Sequence, residues 1–309
     1  MLEIIENKVL AAKYGNKSNK PFGGYVIMGI DGQKDIMSRI EYESNYKRHY
    51  IPARYLTDSV SFKSNFIHYL CGLFTREQIE GAVNKYGLGA TKDGGTIFWQ
   101  IDFFGRIRSG KIIHYHSEDH PDFGHRDKKR DPIWVHDILK KRGEVHRDFH
   151  LEQCLFGEHL LSPKLYPDKK VALVEAEKTA FICSMIWPEY NWVAVGGRNN
   201  FTEKILHPLF RKDVVVFPDT DPDGETFKMW YAMSFRISKK MKTIYVSDYL
   251  ERKATAEQKA HKIDIADLLL DELQTEYDTK LRNAEALERL KQSSPASAKL
   301  IDSLQLYVV

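Results

Sequence analysis

The stretch VVVFPDTDPDGET, residues 214–226, decides how the chain is read. A run of β-forming residues passes directly into Asp219, Asp221, Asp223 and Glu225, acids at alternate positions. A short continuous apolar run reads as a strand covered on both faces, the pattern of a parallel sheet. In an extended chain, alternate side chains leave on the same side. Two carboxylates about 5 Å apart repel by roughly 3 kcal/mol at an effective dielectric near 20. Such a knot keeps a proton, takes up a divalent cation, or forms an acidic turn that caps the next helix. Capping alone is a sufficient role for Asp223 and Glu225.

Two other readings of the knot fail on spacing or position. The opening Asp219-x-Asp221-x-Asp223-Gly224 matches the start of an EF-hand loop. The twelfth position, where that loop needs a bidentate Glu, is Trp230, and a strand precedes the motif instead of a helix. An aspartyl-nucleophile phosphatase carries Asp-x-Asp after its first strand, whereas here the motif follows a third. A magnesium site for phosphoryl transfer fits better, because Mg²⁺ takes one or two carboxylates and completes its shell with water and substrate phosphate.

Working outward, VALV (171–174), WVAV (192–195) and TIYV (243–246) repeat the buried-strand pattern. Helical segments alternate with them: EKTAFICSMIW, FTEKILHPLF, GETFKMWYAMSFRISKK and IDIADLLLDEL. This alternation predicts βαβ units, with the functional crevice at the carboxyl ends of the strands. Glu175 stands at such an end, directly after VALV.

The first half has a different grammar. Thr75 and Gln78 form a capping box opening a helix to about Tyr86. TIFWQID (96–102) and RSGKIIHYH (108–116) read as paired strands, HSEDHPDFGHRDKKRDP as an exposed loop, and WVHDILKKR as a short helix. After residue 275 a charged helix to about Lys291, a linker SSPAS and an amphipathic tail are expected.

The bulk numbers narrow the class. The 309 residues are 42% hydrophobic and 29% charged with a net charge of +3, a globular composition that permits nucleic acid without requiring it. Cys71, Cys154 and Cys183 form no CxxC pair, which argues against a disulfide frame and for a reducing compartment. The first residues, MLEIIENKVLAAKYGNK, show no secretory pattern, and no run is long enough for a membrane span. The expected location is the cytoplasm, without a membrane partner.

ALVEAEKTA followed by FPDTDPDG resembles the Toprim domain shared by DnaG-type primases, type IA and II topoisomerases and some nucleases. Asp219, Asp221 and Gly224 fall on its DxDxxG motif and Glu175 on its acidic first motif, with Ala176 in place of a small Gly. WVAVGGRNNFTEKILHPL resembles the segment after the primase second strand, and KIDIADLL places Asp264 at a further acid, with Asp267 less well aligned. Upstream, IFWQIDFFGRIRSGKIIHYH and LFGEHLL (155–161) resemble segments of the primase core, and the whole is similar to Toprim proteins of bacterial mobile elements. The match runs over roughly residues 90 to 275. The zinc module that precedes many primase cores has no counterpart here.

The resemblance implies an α+β N-terminal region followed by an α/β Toprim domain with a four-stranded parallel sheet and flanking helices. The implied parts are 1–90 of unknown role, 91–168 a basic primase-core-like region, 169–275 the Toprim domain, and 276–309 a C-terminal helix and tail. It further implies Mg²⁺-dependent nucleotidyl transfer, with Mn²⁺ as substitute: primer synthesis on single-stranded DNA from nucleotides, with a replicative helicase as candidate partner. Glu175, Asp219 and Asp221 would be catalytic. With Asp223 they would hold metal, and Asp264 would be an accessory acid. A Toprim nuclease using the same acids, or a non-catalytic nucleic-acid or partner-binding module, are the alternatives.

Gly105 to Lys111 looks like a phosphate loop, but Ile112 replaces the magnesium-binding Ser/Thr and the segment lies in a hairpin. Arg106, Arg108 and Lys111 are read as a basic strip for nucleic-acid phosphates, or as an ordinary solvated strand face. Lys178 and Arg198, near strand ends, are candidate phosphate ligands. His114, His116, His120 and His125 are close enough to consider zinc, though they match no fixed spacing. Phe98, Trp99, Phe103 and Phe104 are candidates for stacking on bases, or for core.

Overall fold

The computed structural model describes residues 24–28, 49–163, 166 and 168–304. The segment read for a secretory leader, 1–17, and residues 305–309 of the tail lie outside the described residues. The chain divides into two units between Asp264 and Ile265.

The first unit begins with β1 (Gly24–Met28), α1 (Arg54–Thr57), α2 (Asn65–Leu70) and α3 (Arg76–Tyr86). An antiparallel sheet follows, β2 (Gly89–Ala90), β3 (Thr96–Ile101), β4 (Ile107–Ile113) and β5 (Ile133–Trp134), then α4 (Val135–Lys141). The expected capping box is present: the Thr75 hydroxyl accepts from Gln78 N–H while the Gln78 side chain accepts from Thr75 N–H. The hairpin expected around residue 104 joins β3 to β4.

The alternating second half gives β6 (Val171–Val174), α5 (Glu177–Ile186), β7 (Asn191–Ala194), α6 (Glu203–Leu206), β8 (Asp213–Val216), α7 (Glu225–Ile237) and β9 (Thr243–Ser247). Two short helices, α8 (Tyr249–Lys253) and α9 (Ala256–Ala260), close the unit. The strands lie in the order β1-β9-β8-β6-β7. The pairs β6–β7, β6–β8 and β8–β9 are parallel, so the described fold is mixed α/β with a four-stranded parallel sheet and flanking helices. β1 adds an antiparallel edge on β9 that the strand pattern of the second half does not contain.

The strand order creates a crevice. From central β6 the chain runs out through α5 to β7 on one side and returns to β8 on the other. Right-handed crossovers then put α5 and α7 on opposite faces, and the carboxyl ends of β6 and β8 part between them.

Aromatic packing joins the two sheets. Phe181 of α5 meets Phe66 of α2 and Tyr86 of α3, with ring centroids 5.9 and 5.8 Å apart. Phe98 of β3 and Tyr86 both contact Phe156. The Tyr86 hydroxyl donates to the Trp192 carbonyl at 2.9 Å. α5 is buried on nearly every side, which explains its almost unbroken apolar sequence. Phe98 and Trp99 are core residues, as their strand spacing allows, and of the four aromatic candidates only Phe104 is exposed.

The second unit holds α10 (Ile265–Ser293) and α11 (Pro295–Ser303). The expected linker SSPAS is instead a helix start. Ser294 accepts from Ser297 N–H as the N-cap, and Pro295 stands at the first helical position, where its missing N–H is harmless. Among the described residues no helix is long and apolar enough to cross a membrane.

Candidate active site at the β6–β8 switch point

Leu173 pairs with Val216, and Phe217 N–H extends the ladder to the Leu173 carbonyl at 2.9 Å. Parallel neighbours lie about 4.8 Å apart. Glu175 therefore leaves the end of β6 beside the end of β8, with Asp219 two residues beyond Phe217. Both are half-buried.

Burial pushes the Glu175 carboxyl above its ordinary range. The Arg198 N–H, the Arg198 guanidinium and Lys111 oppose the shift, while Asp264 adds to it. Arg198 is exposed at the end of β7. Asp264 is buried, accepts from the Thr179 hydroxyl at 2.6 Å and pairs with Lys178 at 3.3 Å. Arg198 and Asp264 thus act on the Glu175 carboxyl, and Lys178 is held by Asp264.

Asp221 takes a different role in this structure. Its oxygens accept from the backbone N–H of Asp223, Glu225 and Thr226 at 3.1, 3.0 and 2.7 Å. Burial alone would raise its pKa, but these bonds and the Thr226 hydroxyl bring it down to about 2. Its side chain closes the N-terminus of α7, the role that the sequence offered to Asp223 and Glu225. Gly224, at φ +64°, turns the chain into that helix, which accounts for the glycine of the motif. Asp223 is exposed. Thr220 anchors the loop through its N–H to the Ile263 carbonyl at 3.2 Å and its hydroxyl to Glu251 at 2.7 Å.

The carboxylates of Glu175, Asp219 and Asp221 are not drawn together within 4.8 Å. Among the described residues that closeness is met by His116, His120 and Asp122.

The basic strip is largely committed to buried acids. Arg108 is 5% exposed and pairs with Asp102 at 3.0 Å and Glu152 at 3.6 Å. Arg106 bonds the same Asp102 at 2.9 Å and lies over the Tyr50 and Phe104 rings. An open phosphate-binding face is therefore not what Arg108 presents. Lys111 does point to the crevice, but it donates to both Glu177 oxygens at 3.1 Å and to the Gly196 carbonyl at 2.9 Å. Of the five basic candidates, Arg198 remains exposed.

Sequence reasoning passed over Glu177, Thr179 and Glu158. Glu177 is 1% exposed, and its signal was available: a second acid two residues after Glu175, followed by an apolar helix that has to bury it. Glu158 is buried, accepts from Phe103 and Leu155 N–H at 2.9 and 3.2 Å, and is pushed up to about 7 chiefly by burial.

A profile for a domain of unknown function, DUF6371, matches residues 64–220, more than half of the chain. The chain belongs to the DUF6371 family. The matched span includes both β6 and β8, with Glu175 and Asp219, and ends one residue before Asp221.

No curated protein matches the DUF6371 chain in sequence. Its described fold is similar to solved primase cores. The primase fragment of the bacteriophage T7 primase-helicase protein shares 14% identity over 67% of this chain and 75% of that one, at a TM-score of 0.38. The E. coli primase catalytic core shares 12% over 87% and 90%, at 0.32. The zinc-binding and RNA polymerase domains of the Aquifex aeolicus primase share 13% over 83% and 73%, at 0.35.

Proposed function

We propose that this DUF6371 protein is a Toprim-type, Mg²⁺-dependent nucleotidyl transferase that builds short primers on single-stranded DNA. One observation carries the reading: Glu175 directly follows β6 and Asp219 lies on the loop leaving β8, the two parallel strands that flank the switch point of the sheet. That is where open α/β sheets place their chemistry.

The donor set fits the ion. Two carboxylates with open positions left for water and phosphate suit Mg²⁺. The elevated pKa of Glu175 marks a carboxylate that gains from a cation beside it. When bound, Mg²⁺ would activate a 3′-hydroxyl and offset charge on a leaving pyrophosphate. In this reading Glu175 and Asp219 hold the ion, with Mn²⁺ as substitute. Asp221, already committed to α7, fixes the loop that carries Asp219. Asp264 positions Lys178 at the crevice edge, and the exposed Arg198 meets phosphate oxygens. Arg106 and Lys111 brace the wall that faces the template.

The test uses the full chain with single-stranded DNA, labelled nucleotides and Mg²⁺ or Mn²⁺. Labelled short products lost in Asp219→Asn support the reading. Shortened DNA instead identifies a nuclease using the same acids. DNA binding with neither product identifies a binding module and contradicts the proposal.

A further inference from the structure

We propose that His116, His120 and Asp122 form a site for a borderline divalent cation, Zn²⁺ or Ni²⁺, on the loop between β4 and β5. Among the described residues these three have ligand atoms within 4.8 Å of one another. Two histidines that sequence spacing would include do not belong. His114 is buried, with its Nε2 3.1 Å from Asp93, and His125 takes part through its backbone.

The loop is held from two sides, so the three side chains stand on fixed backbone. A bridge between Tyr115 and Arg126 closes its base. Within it His116 N–H donates to the His125 carbonyl at 2.9 Å, Phe123 N–H to His120 at 3.0 Å, and His125 N–H to Asp122 at 2.9 Å. The Phe123 ring meets Tyr69 of α2 edge-on at 5.5 Å. Gly124, at φ +82°, lies so close that a Cβ would sit 2.3 Å from the Tyr69 ring.

The donors select the ion. Imidazole nitrogen with one carboxylate suits Zn²⁺ or Ni²⁺, whereas Mg²⁺ and Ca²⁺ take oxygen shells. His116 is half-buried and His120 and Asp122 are exposed, so an ion reaches them from solvent. The two rings stack at 3.7 Å with planes 10° apart. Ring lone pairs lie in the ring plane, so one imidazole turns out of the stack to bring both nitrogens to one ion at about 2.0–2.1 Å. Asp122 N–H donates to His120 Nδ1 at 3.0 Å, so ligation through that nitrogen exchanges this bond for a metal bond. The site is independent of the Mg²⁺ proposal, although its loop is rooted nearby: the Tyr115 hydroxyl lies in the field of Lys178, Glu177 and Asp264.

Calorimetric titration of the chelator-treated full chain with Zn²⁺, in excess Mg²⁺, tests the assignment. One saturable equivalent is expected. His116→Gln/His120→Gln should lower affinity about tenfold or more, with an unchanged melting midpoint in chelator. Should that pair fail to fold, Asp122→Asn, which removes only an exposed carboxylate, should weaken Zn²⁺ severalfold. Absence of saturable binding, or variants that bind as the parent does, would overturn the proposal.

Discussion

Lys111 on β4 grips both carboxylate oxygens of Glu177 at the start of α5, each at 3.1 Å, and ties the antiparallel sheet to the loops of the parallel one. Its third bond, to the Gly196 carbonyl, reaches the end of β7 beside Arg198. The lysine that looked like a phosphate ligand therefore sets the spacing between the two walls of the crevice.

Removing one partner of this pair leaves a charge stranded. Lys111→Met is expected to destabilise the protein by about 3–5 kcal/mol in urea unfolding. Lys111→Met/Glu177→Met should recover most of that loss, because a buried ion pair replaced by apolar groups of similar volume is often neutral. A single substitution that leaves the urea midpoint unchanged would show that the contact is incidental.

Asp221 gives an acid-side signature. Its pKa is about 2 when folded, below its ordinary 3.8, so its contribution is fully present above the unfolded value and lost as pH falls through the folded one. The shift corresponds to about 2 kcal/mol. Asp221→Ala should lose about that much at neutral pH, and its stability should vary less than the parent's between pH about 4 and 2. Parallel pH profiles would contradict the capping role.

Glu158 works with the opposite sign. Its folded pKa of about 7 lies above the ordinary 4.5, so between these values the unfolded chain ionises while the folded one keeps its proton. Stability should therefore fall as pH rises from 4.5 to 7, by about 3 kcal/mol in all, and level off above. Glu158→Gln should flatten this slope, whatever constant cost follows from exchanging an acceptor for an amide. A slope that persists in the variant would place its source elsewhere.

For Glu175 the raised pKa likewise means stability given up at neutral pH. Glu175→Gln is expected to raise the melting midpoint in chelator and to abolish any further rise on adding Mg²⁺. A variant that melts lower than the parent in chelator would show a structural role for the carboxylate.

The parallel sheet was legible because strands covered on both faces read as unbroken apolar runs, as VALV and VVVF do. That β6 and β8 are neighbours was not in that pattern, because an apolar run carries no strand order. Asp221 was harder to read, because alternation at i, i+2 assumes an extended chain, and after Pro218 the backbone turns until Gly224 N–H reaches the Asp221 carbonyl. Arg108 reads from sequence as a phosphate contact or a solvated strand residue; its burial between Asp102 and the distant Glu152 depends on what folds over the strand, which no strand pattern reports. β1 escaped notice although its Tyr25–Met28 run is as apolar as VALV, because it stands outside the strand–helix alternation that marked the other strands.

The central claim, that Glu175 and Asp219 jointly hold a divalent cation, is tested most directly by Mn²⁺ binding followed by electron paramagnetic resonance. The full chain should take up Mn²⁺ at a site that Mg²⁺ displaces, lost in both Glu175→Gln and Asp219→Asn and retained in Asp223→Asn. Undiminished Mn²⁺ binding in Glu175→Gln and Asp219→Asn would contradict it.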